Sequence, residues 1–404
     1  MIAVPGDDPR AVVRATRAAL DGTGPAIALG AGGGRAGRGA GPVGRGEAGG
    51  VGASTPGAGP GAPSDGVGIP GGHVAAIVTT SGSTGYPKSV VLGRDALRAS
   101  AAATAERIGE GAWLLALPPG YVAGLQVIVR ALLAGGEPEV LDPSFGPAAF
   151  VDAAAAVARA GRPTYVSLVP AQLARLLGAA DDPPVAAALR SFAAILVGGQ
   201  TLAPALRDRA AALGARVVRT YGSSETSGGC VYDGVPLAGV GVRIAAGEVL
   251  LSGPMLADGY LGDPGRTAAA FLPDASGIRW YRTGDAGVFE QGVLRVTGRL
   301  DNVIVSGGVN VSLDRVERAV RGIPGLEEAV VVGVRDERWG EAPVLVLPGD
   351  GTPEDAALLE RARAVVGSEL GAPARPRDVL RVGALAPLAS GKPDRAAMRR
   401  IAQG

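Results

Sequence analysis

Apolar and polar positions along this chain fall into blocks that switch between a helical and a strand period. Residues 9 to 20 carry apolar side chains at helical spacing and predict a short amphipathic helix, and Pro25-Ala26-Ile27-Ala28-Leu29 predicts a strand. Ala75-Ala76-Ile77-Val78-Thr79 and Val90-Val91-Leu92 are strand-like runs flanking a polar, glycine-bearing segment, and a helix is expected over 95–109. Strand-like runs at 113–117, 164–168, 194–197 and 216–220 then alternate with helical stretches, among them 171–177 and one that ends at Leu213. Strands spaced by helices predict a parallel sheet with crossover helices, whose ligands sit beyond the carboxyl ends of the strands. Gly198-Gly199-Gln200 and Tyr221-Gly222-Ser223-Ser224-Glu225 are expected at such ends.

Beyond residue 240 the pattern shortens to strands over 240–245, 248–251, 288–290 and 294–297, with Trp280 to Gly287 ending another strand at Asp285. Helices over 313–320 and 355–369 and strands over 329–334 and 344–347 predict a small α+β unit at the C-terminus. The expected fold class is therefore α/β: a large N-terminal domain with mixed or parallel sheets, crossover helices and a small β-rich subdomain, then a small α+β domain. Between Gly30 and Gly72 the pattern disappears. There 19 of 43 residues are glycine, five are proline and none is aromatic, so the segment cannot bury enough apolar surface to offset its ordering entropy and is expected to be a flexible insertion.

Composition narrows the partners. The formal net charge of +1 gives no reason to expect nucleic acid or an acidic membrane surface, so the substrate is expected to be small. One cysteine, Cys230, excludes an internal disulfide framework, and one histidine, His73, leaves no histidine cluster for a metal and argues against a histidine-dependent triad. The start of the chain has acids and proline where a signal peptide carries basic and apolar residues. No uncharged apolar stretch reaches the roughly 20 residues needed to span a bilayer. A cytoplasmic protein without membrane insertion is expected; a homo-oligomer stays open.

The candidate chemistry centres on Thr79-Thr80-Ser81-Gly82-Ser83-Thr84-Gly85-Tyr86-Pro87-Lys88-Ser89. Glycines let a backbone aim N–H groups at an anion, hydroxyls add donors, and the lysine supplies a mobile positive charge. Of 39 basic side chains only Lys88 and Lys392 are lysines, which fits a need for a compact ammonium at both places; two solvated lysines spared by an arginine-biased composition is the plainer alternative. The spacing from Gly82 to Ser89 matches a Walker A loop, but Pro87 stands where the second glycine belongs and the flanks are strands, not a strand and a helix. A P-loop nucleoside triphosphatase is excluded on these grounds.

The run Thr80 to Lys88 resembles the phosphate-binding signature of the acyl-adenylate-forming superfamily, which includes acyl-CoA synthetases. Tyr221-Gly222-Ser223-Ser224-Glu225-Thr226 resembles its Tyr-Gly-x-Thr-Glu motif with Ser224 in place of threonine, Thr283-Gly284-Asp285 its ribose-binding motif, and Gly298 to Val311 its domain junction. Ala389-Ser390-Gly391-Lys392-Pro393-Asp394-Arg395 resembles the setting of its catalytic lysine. The resemblance covers residues 75 to 404 and implies an adenylation domain over 1–300 and a mobile C-terminal domain over 301–404.

What the resemblance implies can be stated residue by residue. Lys392 would be catalytic, holding the acid's carboxylate and the α-phosphate. Thr80, Ser81, Gly82, Ser83, Thr84, Gly85 and Lys88 would hold the phosphates of ATP, and Glu225 the Mg2+. Gly198, Gly199, Gln200, Tyr221, Gly222, Asp285 and Arg299 would hold adenine and ribose. Asp301 would be the hinge, and Ser306, Gly307 and Gly308 would reach the site for coenzyme A. Tyr121 stands where the superfamily carries an aromatic gate, often histidine, and is grouped with Ser224 and Arg175 as substrate-binding.

Two stretches, Ser167 to Leu177 and Ser224 to Leu237, resemble the o-succinylbenzoate–CoA ligase family of menaquinone biosynthesis. There an arginine at the position of Arg175 is associated with the second carboxylate, which a guanidinium can grip bidentately. The implied reaction uses ATP, Mg2+ and coenzyme A and acts on o-succinylbenzoate. A CoA ligase for another aryl or short-chain acid, adenylation without CoA transfer, and a non-catalytic adenylate-binding protein are the alternatives.

Overall fold

In a computed structural model the described residues are 1–30, 72–81, 87–141, 145–383 and 393–403. Most of the expected insertion, residues 31–71, lies outside them. The fold is mixed α/β, as the pattern predicts, and the described residues form four sheets.

A seven-stranded sheet has Thr164–Leu168 near its middle, with Ala112–Leu115 on one side and Ala194–Val197 and Val217–Ser223 on the other. These strands run parallel. Successive side chains point to opposite faces, and the core divides accordingly. Trp113, Leu115 and Leu196 join one apolar cluster, while Leu114, Val166 and Ile195 join another on the opposite face. Crossover helices cover both faces. Several open on proline at the first turn, including Pro147–Ala158, Pro170–Gly178, Pro183–Ser191 and Pro204–Ala212. The missing N–H costs nothing at that position, because the first-turn donors have no helical partner in any case.

A second sheet orders Ile2–Val4, Ile27–Leu29, Val74–Ser81, Pro87–Gly93 and Gly259–Tyr260. Val74–Ser81 and Pro87–Gly93 are antiparallel, with Thr80 opposite Lys88, so the candidate phosphate segment joins two strands, the arrangement that separates it from a Walker A loop. A third, antiparallel sheet contains Gly241–Ala245, Glu248–Ser252, Phe271–Pro273, Arg279–Glu290 and Val293–Arg299.

The fourth sheet comprises Val303–Ser306, Val309–Ser312, Val330–Asp336, Gly340–Pro348 and Asp378–Val382. Helices Leu313–Val320 and Asp355–Leu370 lie on one face around Ile304, Val316, Leu345 and Leu358, and Met398 of helix Arg395–Gln403 packs with Val332 and Val346 on the other.

Two expectations need correction. The strand expected to stop at Thr220 continues through Tyr221-Gly222-Ser223, because it pairs with the antiparallel strand Gly228–Tyr232. A Cβ at Gly222 would lie 2.1 Å from the Gly228 carbonyl oxygen, so glycine is what permits the pairing. The strand expected to end at Asp285 also runs on, as one strand Arg279–Glu290 that absorbs the separate run at 288–290. Its positive φ of 71° at Gly284 and a register shift between Ala286 and Gly287 accommodate the turn-like Thr-Gly-Asp sequence inside the ladder.

Candidate active site

The stretch Tyr221 to Glu225 reaches two clusters of charge. At its far end Ser224–Thr226 forms a 3-10 turn that buries Glu225. The Glu225 carboxylate Oε1 accepts a hydrogen bond from Lys88 Nζ at 2.5 Å and another from the Tyr260 hydroxyl at 2.9 Å. Lys88 comes from strand Pro87–Gly93, and Tyr260 from strand Gly259–Tyr260, which pairs with it through Val90. The ammonium also lies 5.3 Å from the centre of the Tyr260 ring. Burial works to raise the Glu225 pKa, but the charge and hydrogen bond of Lys88, helped by Tyr260, outweigh it and leave the group below its ordinary 4.5. The Tyr260 hydroxyl is pushed up by burial first and by Glu225 second, so it remains a neutral donor.

At the near end the Tyr221 hydroxyl donates to Asp285 Oδ2 at 2.6 Å. Asp285 lies opposite Arg299 in the ladder, and Arg299 Nη1 donates to its Oδ1 at 3.1 Å. The same guanidinium grips Asp301 with Nε and Nη2, both at 2.9 Å. Burial is the largest influence on Asp285 and raises its pKa above the ordinary 3.8; Tyr221 and Arg299 pull the other way, while Asp301 adds to the rise.

Sequence reasoning missed Tyr260 and Asp314. Asp314 Oδ2 accepts the Arg299 backbone N–H and its Oδ1 the Asn302 amide, each at 2.7 Å, which ties the expected hinge to the first turn of helix Leu313–Val320. An acid in a first helical turn is a signal for Asp314. For Tyr260 there was none, since nothing local marks a two-residue strand as the neighbour of Lys88.

The other expected residues are placed as follows. Gly198, Gly199 and Gln200 follow strand Ala194–Val197 at its carboxyl end. Tyr121 caps helix Val122–Leu133 and is half-buried. Arg175 is exposed on helix Pro170–Gly178, and its Nη1 donates to the Phe145 carbonyl at 2.6 Å. Thr80 Oγ1 donates weakly to the Lys88 carbonyl at 3.5 Å. Ser306 is buried at the turn between strands Val303–Ser306 and Val309–Ser312, its hydroxyl without a hydrogen-bond partner among the described residues, and Gly307 and Gly308 form the exposed tip. The Ser81 side chain, Gly82, Ser83, Thr84, Gly85 and Lys392 lie outside the described residues.

The donor set suits a hard cation shared with phosphate. Among the described residues no group of three or more His, Cys, Asp or Glu side chains could hold a metal, and a lone carboxylate beside phosphate oxygens and water is a set that suits Mg2+. Glu225 already carries a cation, the Lys88 ammonium, in the same place.

A family model described as AMP-binding enzyme matches residues 46–261, and one described as AMP-binding enzyme C-terminal domain matches residues 315–392. The chain is 44% identical over 334 residues to a probable 2-succinylbenzoate–CoA ligase of Mycobacterium tuberculosis, covering 81% of this chain and 84% of that protein. Among solved structures it resembles o-succinylbenzoate CoA synthetase (MenE) from Bacillus subtilis in complex with the acyl-adenylate intermediate OSB-AMP, with a TM-score of 0.67 and 26% identity over 80% of this chain and 69% of that one. It also resembles ATP-bound MatB from Rhodopseudomonas palustris, with a TM-score of 0.69 and 25% identity over 81% and 68%.

Proposed function

The chain belongs to the AMP-binding enzyme family, and from that premise we propose that it activates o-succinylbenzoate with ATP and passes the acyl group to coenzyme A. The observation that carries the adenylation step is the stretch Tyr221 to Glu225, which meets an ammonium at one end and the Asp285–Arg299 pair at the other. One end suits polyphosphate and the other a nucleoside. The choice of acid rests on the 44% identity to the mycobacterial relative.

In the first half-reaction a carboxylate oxygen of the acid attacks the α-phosphorus of ATP, and the bond to pyrophosphate breaks. Both reactants are anions, so the residues must hold them in line and screen their repulsion. Positioning of this kind can contribute about 7 to 11 kcal/mol. Lys88, with Thr80, Ser81, Gly82, Ser83, Thr84 and Gly85, is assigned to the β- and γ-phosphates, and Glu225 to Mg2+. When bound, Mg2+ supplies charge neutralisation on the phosphate oxygens.

Tyr221, Gly222, Asp285 and Arg299, with Gly198, Gly199 and Gln200, are assigned to the nucleoside. An ionised Asp285 can accept hydrogen bonds from a ribose diol. Lys392 is assigned to the acid's carboxylate and the α-phosphate, and Arg175, Tyr121 and Ser224 to the acid.

In the second half-reaction the coenzyme A thiol attacks the acyl carbonyl, the thiol proton is lost and AMP leaves. The segment 301–404 is assigned a swing about Asp301 that brings Ser306, Gly307 and Gly308 to the site. A few residues suffice for such a hinge. A cytoplasmic location is part of the same proposal; among the described residues no helix is long and apolar enough to cross a membrane.

A CoA ligase for another aryl or short-chain acid is the second reading, favoured by the engagement of Arg175, whose Nη1 donates to the Phe145 carbonyl at 2.6 Å. Thioester formation with ATP, Mg2+ and coenzyme A, comparing o-succinylbenzoate, benzoate, a medium-chain fatty acid and no acid, separates the two. Strong preference for o-succinylbenzoate is expected; preference for another acid overturns the choice of substrate and keeps the reaction.

A further inference from the structure

Glu225 is a buried carboxylate whose two side-chain donors among the described residues differ in kind. Lys88 is a flexible ammonium on a strand that leads out of the candidate phosphate segment, whereas Tyr260 is rigid. The Tyr260 backbone N–H donates to Thr267 Oγ1 at 2.9 Å, its strand pairs with Val90, and its ring packs at a tilt of 54° against Phe271 with centroids 6.0 Å apart. Only 8% of the residue is exposed. The Glu225 carbonyl is fixed too, by the Ala257 N–H at 2.8 Å, so the backbone under the carboxylate is anchored beside Tyr260.

The reading of the site given above, on which this inference rests, requires Lys88 to leave Glu225 for phosphate as a nucleotide-bound cation arrives. During that exchange Glu225 loses one of its two donors and must keep its aim. We propose that Tyr260 is a positioning residue that holds Glu225 in place for the cation while Lys88 moves to the phosphates. The hydroxyl serves this role because it is neutral: it can share Oε1 with an incoming cation without the repulsion that a second ammonium would bring. The ring keeps a second function, as a face that the Lys88 ammonium approaches at 5.3 Å.

Tyr260→Phe keeps the ring and its packing and removes only the hydroxyl. The test is ATP affinity of the full chain by calorimetry, in Mg2+ and in EDTA, for wild type, Tyr260→Phe, Glu225→Gln and the double variant. With Mg2+, Tyr260→Phe should weaken ATP binding by about tenfold, the size of one hydrogen bond to a charged group, and in EDTA it should leave binding unchanged. In the Glu225→Gln background the same change should add nothing to the Mg2+-dependent part. Equal weakening with and without Mg2+, no weakening at all, or full loss in the Glu225→Gln background would each overturn the proposal, since a merely structural role acts in every condition.

If Tyr260→Phe does not fold, Tyr260→Met, an adaptable apolar side chain without a hydroxyl, takes its place and must likewise weaken binding only in Mg2+. Wild type that binds no ATP at all would remove the adenylation reading, and this inference with it. Wild type with Mg2+-enhanced binding that Tyr260→Phe leaves intact would remove this inference alone.

Discussion

The two carboxylates met at the ends of the stretch Tyr221 to Glu225 are both largely buried and, among the described residues, both accept two side-chain hydrogen bonds, yet their pKa values move in opposite directions. Glu225 is held below its ordinary 4.5 and Asp285 above its ordinary 3.8. The number of donors does not separate them; the share of a cation does. Glu225 faces an ammonium at 2.5 Å, whereas Asp285 has a neutral tyrosine and a guanidinium that gives two of its bonds to Asp301. A buried carboxylate with an undivided counter-ion stays charged, and one with a divided counter-ion is poised to want another partner. On the nucleoside side that partner would be the ribose diol; on the phosphate side the tight pair must be exchanged.

The largest expected effect breaks the undivided pair. Lys88→Met should lower ATP-dependent adenylation by about 10³-fold, the upper range for removing one charge-stabilising group, with steady-state kinetics as the check. It should also cost about 3 kcal/mol of stability by denaturant titration, the low end for orphaning a buried partner because Lys88 is 25% exposed. Next comes Asp285→Asn, for which ATP affinity should fall by about ten- to a hundredfold while stability changes by less than about 1 kcal/mol, since ionising Asp285 is already uphill in the folded chain. Equal stability losses in these two variants would contradict the comparison.

Asp301→Asn sharpens it. With Arg299 no longer divided, the Asp285 pKa should fall towards 3.8, and the pH dependence of ATP affinity should move to lower pH. An unmoved profile would show that burial alone sets the Asp285 value.

The smallest effect is on acid stability, and the two groups contribute with opposite signs. Because the folded-state pKa of Glu225 is lowered, its stabilisation is present above pH 4.5 and is lost as the pH falls through the lowered value. For Asp285 the folded-state pKa is raised, so ionisation carries a cost that is absent below pH 3.8 and complete above the raised value. Glu225→Gln should therefore flatten the loss of stability below pH 4.5, and Asp285→Asn should not.

The sequence made some of this legible and hid the rest for identifiable reasons. Strands Val74–Ser81 and Pro87–Gly93 follow from their β-branched runs, which also ruled out a Walker A loop. Helix Pro147–Ala158 escaped notice because its residues are almost all apolar and leave no polar face to mark a period. The passage of strand Arg279–Glu290 through Asp285 was hidden because Thr283-Gly284-Asp285 has turn chemistry, and only the neighbouring strand Val293–Arg299 keeps it in the ladder. Motifs pointed to Lys88, Glu225, Tyr221, Asp285 and Arg299, and the fold brings Lys88 to Glu225 and Tyr221 and Arg299 to Asp285. The division of Arg299 between two acids and the approach of Tyr260 to Glu225 depend on pairings between distant strands, which no local pattern records.

The most direct measurement is the exchange of labelled pyrophosphate into ATP without coenzyme A. An adenylating site built from these two clusters should give exchange that requires both o-succinylbenzoate and Mg2+ and is lost in Lys88→Met. Tight ATP binding with no exchange for any acid would contradict it and would leave a nucleotide-binding protein without the chemistry.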